Sequence, residues 1–408
     1  MDVEIRTIEP EEFDTYCLSL ETAFTGFIHQ DEIDIHRSVT EFDRCLAAVD
    51  GGAFVGCAAA CSFRVAVPGG ADLSLAGITG VGVLPSHRRR GINTALMRRT
   101  LDDVVERGEA GAILFASEGG IYPRFGYGVA SFMGSMDLAT ARSAYLTTRR
   151  PAGTTRLLEK KEALPRMRAI YEKARPDRPG GVALGENWFA WRFFQSESEQ
   201  KDGPLFFAIH QSDEGRDDAY AVYRGKHEWP GDVPKLELKV EDVQSTSPEA
   251  YADIWRFLLE VDLVDHVTAW NRPADEPLLH MLLEPRRLAL RLKDGLYLRI
   301  VDMPLALGAR TYHADGRIVL EVADPFLPER EGRFELVVER GVGECRRLDG
   351  GSADIVCSVN EVGAAYLGGA TFRQLARAGR VREERAGALA LADAMFAVDA
   401  PPWCSFEF

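Results

Sequence analysis

A short turn early in the sequence concentrates positive charge beside a glycine: Arg88, Arg89, Arg90 and Gly91. It follows an apolar strand pattern that ends at Pro85, because proline cannot continue a β-ladder, and it precedes a helical stripe over residues 94–105. The first turn of a helix offers unpaired N–H groups and the positive end of the helix dipole. A glycine there lets a bulky anion approach the backbone. The stretch therefore predicts an anion site suited to a pyrophosphate.

Two widespread phosphate-binding motifs do not occur in this sequence. It has neither the G-x-x-x-x-G-K-[ST] loop nor a G-x-G-x-x-G segment that opens a helix after the first strand. Residues 88–93, Arg-Arg-Arg-Gly-Ile-Asn, instead resemble the acetyl-coenzyme A motif [RQ]-x-x-G-x-[GA] of the GNAT acetyltransferases, with Asn93 in place of the usual small residue. For this stretch alone, the alternative is a basic turn that caps an ordinary helix and has a nucleic-acid role.

A second glycine-rich stretch, residues 117–128, follows the next apolar strand pattern. Its glycines and proline predict a tight corner around a short helix. The segment from Tyr122 to Tyr127 resembles the GNAT pattern Tyr-x-x-x-Gly-Phe, with Tyr127 in the place of the aromatic residue after Gly126. Two GNAT motifs in the correct order imply a domain that binds acetyl-coenzyme A.

Acetyl transfer from a thioester requires a neutral amine, N–H donors for the developing oxyanion and a proton for the leaving thiolate. The phenol of Tyr122, with an ordinary pKa of ~10, is protonated at neutral pH and suits the last of these roles. Tyr127 is the second candidate for this acid, and either tyrosine could instead be a structural residue of the corner. Since no cysteine lies in a nucleophile motif, we expect direct transfer in a ternary complex.

Composition and charge restrict the class of protein. The 408 residues allow about two or three domains, and 46% hydrophobic with 27% charged residues is an ordinary globular balance. The net charge of −15 argues against general nucleic-acid binding and favours a cationic substrate. We find no signal peptide and no apolar run of ~20 residues, so we expect a cytoplasmic protein without membrane association. The seven scattered cysteines predict neither a disulfide framework nor a metal site.

The sequence pattern predicts an α/β (α+β) chain whose first segment, residues 1–150, is a GNAT domain that binds acetyl-coenzyme A and carries the catalysis. Within it we expect a helix over residues 14–27, a pair of strands at 53–62 and 63–67, and a central strand at 77–83. The arginine turn follows that central strand directly.

The remaining chain is predicted to form two further segments. Residues 151–302 repeat the strand and helix order and end in a strand at 296–301, but the junction at 242–248 has no arginine-glycine turn. We therefore expect a degenerate second GNAT domain that cannot hold the cofactor. Residues 303–408 resemble a sterol-carrier-protein-like domain, with alternating strands followed by two or three helices.

The whole chain resembles one particular family. The domain order, the arginine turn, the run Ser-Glu-Gly-Gly-Ile-Tyr at 117–122 and the Phe408 end resemble the enhanced-intracellular-survival family of GNAT acetyltransferases. Members of that family acetylate amines of aminoglycosides, often at several positions, and also lysine side chains, and they assemble as hexamers. The resemblance implies an acetyl-coenzyme A-dependent N-acetyltransferase that takes a small polycationic amine, uses no metal and forms a homohexamer.

The resemblance also implies roles for the residues that match the family's motifs. Three strand residues would pair their backbone with the pantetheine arm: Val81, Gly82 and Val83. The turn and the helix start would hold the pyrophosphate: Arg88, Arg89, Arg90, Gly91, Ile92, Asn93 and Thr94. Ser117 and Glu118 would line the reactive end of the cofactor. Tyr122 would be the general acid, and the terminal carboxylate of Phe408 would be the general base.

The amine pocket departs from the family at four positions. The family commonly has an acidic residue, a tryptophan, another aromatic residue and a histidine where this chain has Gly26, His36, Gly80 and Phe115. Phe24 and Phe27 could shape the same pocket, and Glu407 could bind an ammonium group, although most acidic surface residues are only solvated. We expect these four departures to leave the acetyl transfer reaction intact and to change the range of amines that the enzyme accepts.

Two other functions remain open at the level of the sequence. A protein-lysine acetyltransferase with one dedicated partner would use the same cofactor site. A carrier of hydrophobic ligands would use the third segment, but that possibility rests on a likeness of fold alone.

Overall fold

The computed structural model describes residues 3–147, 150–196, 203–228 and 235–408. The first two residues of the stretch in which we expect no signal peptide, Met1 and Asp2, lie outside the described ranges. The chain divides into two compact units. The first comprises Met1–Ser131, Arg178–Ala183 and Asp294–Phe408, and the second comprises Phe132–Asp177 and Leu184–Lys293. The first unit therefore combines the beginning and the end of the chain.

Strands and helices occur in all three segments of the chain. The strands are β1 (Glu4–Thr7), β2 (Cys45–Asp50), β3 (Ala53–Ala66), β4 (Asp72–Val83), β5 (Gly111–Phe115), β6 (Gly128–Val129), β7 (Phe132–Ala139), β8 (Gly153–Leu158), β9 (Phe206–Ser212), β10 (Asp217–Glu228), β11 (Lys235–Ser245), β12 (Val264–Pro273), β13 (Arg291–Asp294), β14 (Leu296–Ile300), β15 (Gly316–Ala323), β16 (Gly332–Glu339), β17 (Val342–Leu348), β18 (Ile355–Ser358) and β19 (Arg382–Glu383). The helices are α1 (Phe13–Ala23), α2 (Gln30–Arg37), α3 (Ile92–Glu106), α4 (Lys160–Ala174), α5 (Glu186–Arg192), α6 (Pro248–Leu259), α7 (Leu278–Met281), α8 (Met303–Ala309), α9 (Val359–Tyr366), α10 (Phe372–Arg377) and α11 (Ala388–Phe396).

The first unit contains a seven-stranded sheet in the order β1-β2-β3-β4-β5-β14-β6. Strands β4 and β5 are parallel, and β14 lies antiparallel between β5 and β6. The predicted strand at 296–301 therefore exists, and the sheet that it joins is the sheet of the first unit. A strand pattern shows that a strand exists and does not identify its partner, which long-range packing decides.

Two predicted boundaries in the first segment are wrong. Residues 53–62 and 63–67 do not form a pair, because β3 runs without a turn as one strand of 14 residues. The helix predicted over 14–27 ends at Ala23, and Thr25 adopts a left-handed φ of 59° that an α-helix cannot include. Phe24 and Phe27 consequently lie on a loop rather than on a helix.

Alternate residues of β2 belong to two different cores. Cys45 and Ala47 pack in the cluster that contains the buried face of α1, whereas Leu46 and Ala48 pack in the cluster that contains α3 residues. Since successive side chains of a strand point to opposite faces, α1 and α3 cover opposite faces of the sheet. The edge of β4 thus lies between the C-terminal end of α1 and the N-terminal end of α3.

The third segment forms a five-stranded sheet in the order β17-β16-β15-β18-β19. The alternating pattern predicts strands at 317–322, 333–339 and 354–357, which correspond to β15, β16 and β18; β17 and β19 were not predicted. Every residue of α9 is buried. A Cβ atom placed on Gly128 would lie 1.9 Å from the Asn360 carbonyl oxygen, and one on Gly363 would lie 2.4 Å from the Leu298 carbonyl oxygen. These two glycines let α9 pack directly on β6 and β14 of the larger sheet.

The second unit is a seven-stranded sheet in the order β13-β7-β12-β11-β10-β9-β8. Its strands β11 and β12 are parallel, like β4 and β5 of the first unit. Helix α6 packs its apolar face, including Ile254, Trp255 and Leu258, into the core of this sheet.

The described residues hold no cluster of three or more possible metal ligands. All seven cysteines are free, and Cys57 and Cys61 are buried in the core as the apolar pattern indicated. No helix in the described ranges combines the length and the apolar character needed to span a bilayer.

Candidate functional site

An open slot separates the ends of β4 and β5. The two strands pair only from Leu75 with Gly111 to Gly77 with Ile113. Beyond that point β5 continues against β14, and residues 78–83 of β4 pair with β3 alone within the described part of the chain. The facing edge of β4 therefore presents N–H and C=O groups to a cleft, as a strand needs in order to pair with an extended ligand.

A bulge bends β4 inside this slot. The register between β3 and β4 shifts between Cys57 and Ala59, and Gly80 adopts a φ of 59°. A side chain at residue 80 would be strained in this conformation, which glycine adopts at little cost because it has no Cβ atom. Val81, Gly82 and Val83 follow the bulge and form the last part of the open edge.

The end of α1 lies close against the same strand. A Cβ atom on Gly82 would lie 3.1 Å from the Cβ of Ala23 and 3.4 Å from the ring of Phe24. Phe24 is thus a predicted substrate residue that lies beside the slot. The other predicted residues of this loop, Phe27 and Gly26, are exposed.

The arginine turn places backbone donors at the end of the slot. Arg89 has a φ of 62° and Gly91 a φ of 79°, so positive φ values alternate along the turn and the N–H groups form a concave nest. Gly91 is the N-cap of α3 and provides no side-chain cap. Among the described residues we find no partner for the N–H groups of Ile92, Asn93 and Thr94. The start of α3 is therefore free to bind an anion.

The three arginines differ in their surroundings. Arg88 donates from Nη2 to the Ala23 carbonyl oxygen at 3.1 Å, which ties the turn to the end of α1. Arg90 lies 3.4 Å from Asp50, which also lies 3.3 Å from His87. Arg89 is exposed and makes no contact to a described side chain. Arg89 is consequently the guanidinium most available to a ligand.

The second motif forms the corner that the glycines and proline predicted. A 3₁₀ helix at Tyr122–Phe125 ends at Gly126, whose φ is 86°. Tyr122 is 7% exposed, and burial raises the pKa of its phenol above 10.0. Ser117 and Glu118 lie exposed on the loop between β5 and this corner. The corner therefore holds a protonated phenol next to the end of β5.

Tyr127 occupies a different environment from Tyr122. It has no exposed surface, its hydroxyl has no hydrogen-bond partner in the described structure, and burial strongly raises its pKa. The rings of the two tyrosines are 5.9 Å apart. Tyr127 lies in the core cluster of the corner, so the structure favours a packing role for it.

The terminal residues dock on the sheet at the point where the slot begins. The ring of Phe408 lies 4.8 Å from the ring of Phe63 and 5.7 Å from that of Phe115. A Cβ atom on Gly77 would lie 2.8 Å from the Phe408 ring, so the glycine makes room for it. Phe406 is 1% exposed, so the end of the chain is docked and not a free tail.

The structure does not bring all predicted substrate residues together. Phe115 contacts Phe408, and Phe24 lies at the slot. His36 lies at the end of α2, and burial lowers the pKa of its imidazole. Phe27 packs against His29, and Glu407 is exposed. Phe24 and Phe115 are thus the predicted aromatic residues that lie at the slot.

Sequence reasoning missed a carboxylate beside Gly26. A Cβ atom on Gly26 would lie 2.3 Å from Oε2 of Glu21, so the Glu21 carboxylate fills the space of a side chain at residue 26. Burial, with a smaller contribution from the charge of Glu32, raises the pKa of Glu21. The sequence could have suggested that Glu21 lies close to Gly26 only if the end of α1 at Ala23 had been predicted, because the loop after α1 brings the two residues together.

Comparisons with known proteins agree with this architecture. Residues 4–130 and 180–300 each match a model of the acetyltransferase (GNAT) domain, and residues 303–405 match a sterol carrier protein domain. An uncharacterized N-acetyltransferase of Streptomyces avermitilis is 40% identical over the full length of both chains. The N-acetyltransferase Eis of Mycobacterium bovis is 33% identical over 95% of this chain and 94% of the relative. The crystal structure of Eis1 from Mycobacterium abscessus has a TM-score of 0.86 and 34% identity, and covers 99% of this chain and 100% of that one.

The chain is therefore an N-acetyltransferase built from two GNAT domains and a sterol carrier protein domain. Enzymes of the GNAT class take the acetyl group from acetyl-coenzyme A and transfer it to an amine. Within that class, the chain belongs to the Eis family.

Proposed function

We propose that this enzyme transfers acetyl groups from acetyl-coenzyme A to the amines of aminoglycosides or similar polycationic amines, at more than one position of the acceptor. The observation that carries the proposal is the open edge of β4, residues 78–83, which leads from the uncapped start of α3 to the corner of Tyr122. The expected number of acetyl groups and the acceptor class rest on family membership.

The slot and the turn support specific roles in cofactor binding. The backbone of Val81, Gly82 and Val83 pairs with the pantetheine arm, and the pyrophosphate accepts from the N–H groups of the first turn of α3. Arg88 and Arg90 add charge from partly engaged side chains, and Arg89 adds it from a free one. Ser117 and Glu118 flank the thioester end.

Tyr122 and the terminal carboxylate divide the proton transfers. The amine attacks the thioester carbon, the C–S bond breaks, and the thiolate receives the proton of the Tyr122 phenol. The carboxylate of Phe408, with an ordinary pKa of ~3.5, is ionised and accepts, directly or through water, the proton that the bound ammonium loses when it becomes the neutral amine that attacks. No covalent intermediate on the protein is needed in this scheme.

Negative charge near the slot supports a cationic acceptor. Burial and, to a smaller extent, the charge of Glu32 raise the pKa of Glu21, and a bound ammonium would offset the repulsion between the two carboxylates. Glu32 also accepts from the His29 N–H as a helix cap, so Glu21 is the freer of the two. The net charge of −15 adds a general attraction for polycations.

The second GNAT domain has features that disfavour a second cofactor. Its parallel strands also separate, because β11 pairs with β12 only as far as Val240 with Ala269. Beyond that point Arg272 of β12 donates to the Val243 carbonyl oxygen at 3.2 Å and fills the gap. The start of α6 is capped by Ser247, whose Oγ accepts from the Ala250 N–H at 3.1 Å. We therefore propose one acetyl-coenzyme A per chain.

The test is an acceptor panel with the purified enzyme. Release of coenzyme A thiol is followed with aminoglycosides, polyamines and lysine peptides, and mass spectrometry counts the acetyl groups on each product. Calorimetry of acetyl-coenzyme A measures the cofactor site separately. We expect turnover with aminoglycosides and products that carry two or more acetyl groups. Cofactor binding without turnover of any small amine would reject the acceptor class and leave the cofactor site intact; acetylation of lysine peptides alone would favour a protein substrate.

The assembly is a separate proposal. On the basis of family membership we propose a homohexamer, to be measured by light scattering coupled to gel filtration.

A further inference from the structure

One amide side chain from the third segment holds both ends of the corner that carries Tyr122. Asn360 donates from Nδ2 to the Pro123 carbonyl oxygen at 2.8 Å and to the Tyr127 carbonyl oxygen at 2.9 Å. Both acceptors are carbonyl oxygens, so the amide nitrogen of Asn360 must face them. Asn360 is 9% exposed and belongs to a helix whose residues are all buried.

The corner has few other hydrogen bonds of its own. Gly126 donates its N–H to the Pro123 carbonyl oxygen at 3.1 Å, and Tyr127 donates to the Tyr122 carbonyl oxygen at 3.4 Å. The second of these bonds is long for an N–H donor. The two bonds from Asn360 are shorter than either of these backbone bonds, and they connect the short helix at Tyr122–Phe125 to the buried helix α9.

A buried ion pair also packs against the corner, at Gly126. The guanidinium of Arg299 donates to Oδ2 of Asp324 at 2.5 Å, and neither side chain is appreciably exposed. A Cβ atom on Gly126 would lie 2.0 Å from Nη1 of Arg299, so the guanidinium lies directly against the backbone of Gly126. Asp324 follows β15, which means that the third segment supplies partners at two points around the corner.

We propose that Asn360 is a positioning residue for acetyl transfer, which fixes the phenol of Tyr122 against the leaving thiolate by holding the carbonyl groups of Pro123 and Tyr127. The inference rests on the proposed role of Tyr122 as the general acid. It gives the third segment a second part in the reaction, besides the proposed role of the terminal carboxylate of Phe408. Displacement of a reacting group by ~1 Å can cost ~10²-fold in rate, so a loosened corner affects turnover more than binding.

The test compares Asn360→Leu with a matched control in the same segment. Leucine has a similar volume and no donor, and we expect kcat to fall by at least about tenfold while the Kd of acetyl-coenzyme A changes by less than about twofold. Thr371→Ala is the control, because Thr371 caps α10 through a 3.1 Å bond to the Gln374 N–H and does not contact the corner. The Thr371→Ala variant should have a lower Tm and an unchanged kcat.

A double-mutant cycle separates positioning from a general loss of stability. In a Tyr122→Phe background, Asn360→Leu should have no further effect on kcat, because the group that it positions is absent. If Asn360→Leu does not fold, Asn360→Ser, which keeps one donor on a shorter side chain, replaces it in the cycle. If Asn360→Leu lowers kcat equally in the wild-type and the Tyr122→Phe backgrounds, the positioning role of Asn360 is rejected. The same holds if the Asn360 variant is fully active while Tyr122→Phe is impaired. Both results leave the acid role of Tyr122 standing. Full activity of Tyr122→Phe overturns the acid role and this inference with it.

Discussion

At the scale of single residues, the two tyrosines of the corner show how environment separates chemistry from packing. Both are buried, but Tyr127 has no exposed surface and a hydroxyl without a partner, whereas Tyr122 keeps 7% exposure. A phenol that must reach a thiolate needs access to the ligand, and only Tyr122 retains it. The resemblance had favoured Tyr122, and burial provides an independent physical reason.

The first prediction concerns Tyr122→Phe, with Tyr127→Phe as its control. We expect kcat to fall ~10²-fold or more in the first variant, the range for loss of a general acid, with an unchanged Kd for acetyl-coenzyme A. Tyr127→Phe should keep kcat and gain up to ~1 kcal/mol of stability, since it removes a buried hydroxyl without a partner. Steady-state kinetics and urea unfolding measure both. Equal losses of kcat in the two variants would contradict the assignment.

The same phenol makes a prediction about pH. Burial raises the pKa of Tyr122 above 10.0, so its acid form predominates at every pH below that value. Activity that depends on the protonated phenol should therefore show no alkaline midpoint from this group below pH 10.0. A profile of kcat up to that pH is the measurement; an alkaline limb near neutrality that disappears in Tyr122→Phe would assign Tyr122 a lowered pKa instead.

The terminal residue allows its ring and its carboxylate to be tested separately. Adding one glycine after Phe408 keeps the ring in its pocket and moves the carboxylate, and we expect kcat to fall ~10²-fold. Phe408→Leu keeps the carboxylate and loses part of the ring contact with Phe63 and Phe115, so it should retain most of kcat. Thiol release measures both variants. Full activity of the extended chain would remove the carboxylate from the mechanism.

At the scale of elements, both units contain two parallel strands that separate beside the start of a helix. The gap between the strands is open in the first unit and filled in the second. In the first unit the strands separate beyond Gly77 and Ile113, and α3 begins at a glycine without a side-chain cap. In the second unit Arg272 fills the gap and Ser247 caps α6. A few side chains therefore decide whether a GNAT sheet offers a slot or a closed core.

The prediction for these elements is a charge reversal at the turn. Arg89→Glu should raise the Kd of acetyl-coenzyme A at least about tenfold, because a charge ~4 Å from a phosphate is worth ~1 to ~4 kcal/mol between water and a protein surface. Arg99→Glu changes the net charge equally on the exposed face of the same helix, where Arg99 pairs with Glu106 at 3.5 Å. It should leave the Kd unchanged in calorimetry. A similar weakening in both variants would indicate a diffuse charge effect and not a site.

At the scale of the whole molecule, the first sheet needs chain from distant parts of the sequence. Strand β14 lies inside this sheet, between β5 and β6, although it follows β5 by a long stretch of chain. Ser131 and Gly295 meet where the chain leaves and re-enters the first unit, with the Gly295 N–H 2.9 Å from the Ser131 carbonyl oxygen. The sheet of the first unit is therefore not completed by the first segment of the chain alone.

The corresponding prediction concerns truncation. A chain of residues 1–150 lacks β14 and leaves the partner edge of β5 open, so we expect it to aggregate or remain unfolded in circular dichroism. Residues 1–131 joined to 294–408 by a short glycine linker restore that strand, since the two ends are already in contact. This second chain should recover a cooperative unfolding transition. Cooperative folding of residues 1–150 alone would contradict the argument.

Particular residues show how far the sequence could lead. The arginine turn, the corner at Tyr122 and the order of three domains were predictable, because each depends on local spacing and turn chemistry. The residues Glu21, Asn360 and Arg299 were not, since nothing in the local pattern around them differs from an ordinary helix or strand. Their positions depend on where α1 ends and on how α9 and β14 pack.

The sequence by itself determined the local elements and the family: a turn with three arginines before α3, a tyrosine in a glycine corner and membership of an N-acetyltransferase family. These features are local, and local spacing determines backbone conformation within a few residues. Only the tertiary structure decided which strands share a sheet, where β4 and β5 part, and that Asn360 holds the Tyr122 corner. Strand partners and long-range side-chain contacts are chosen by packing of the whole chain, which no single stretch of sequence encodes.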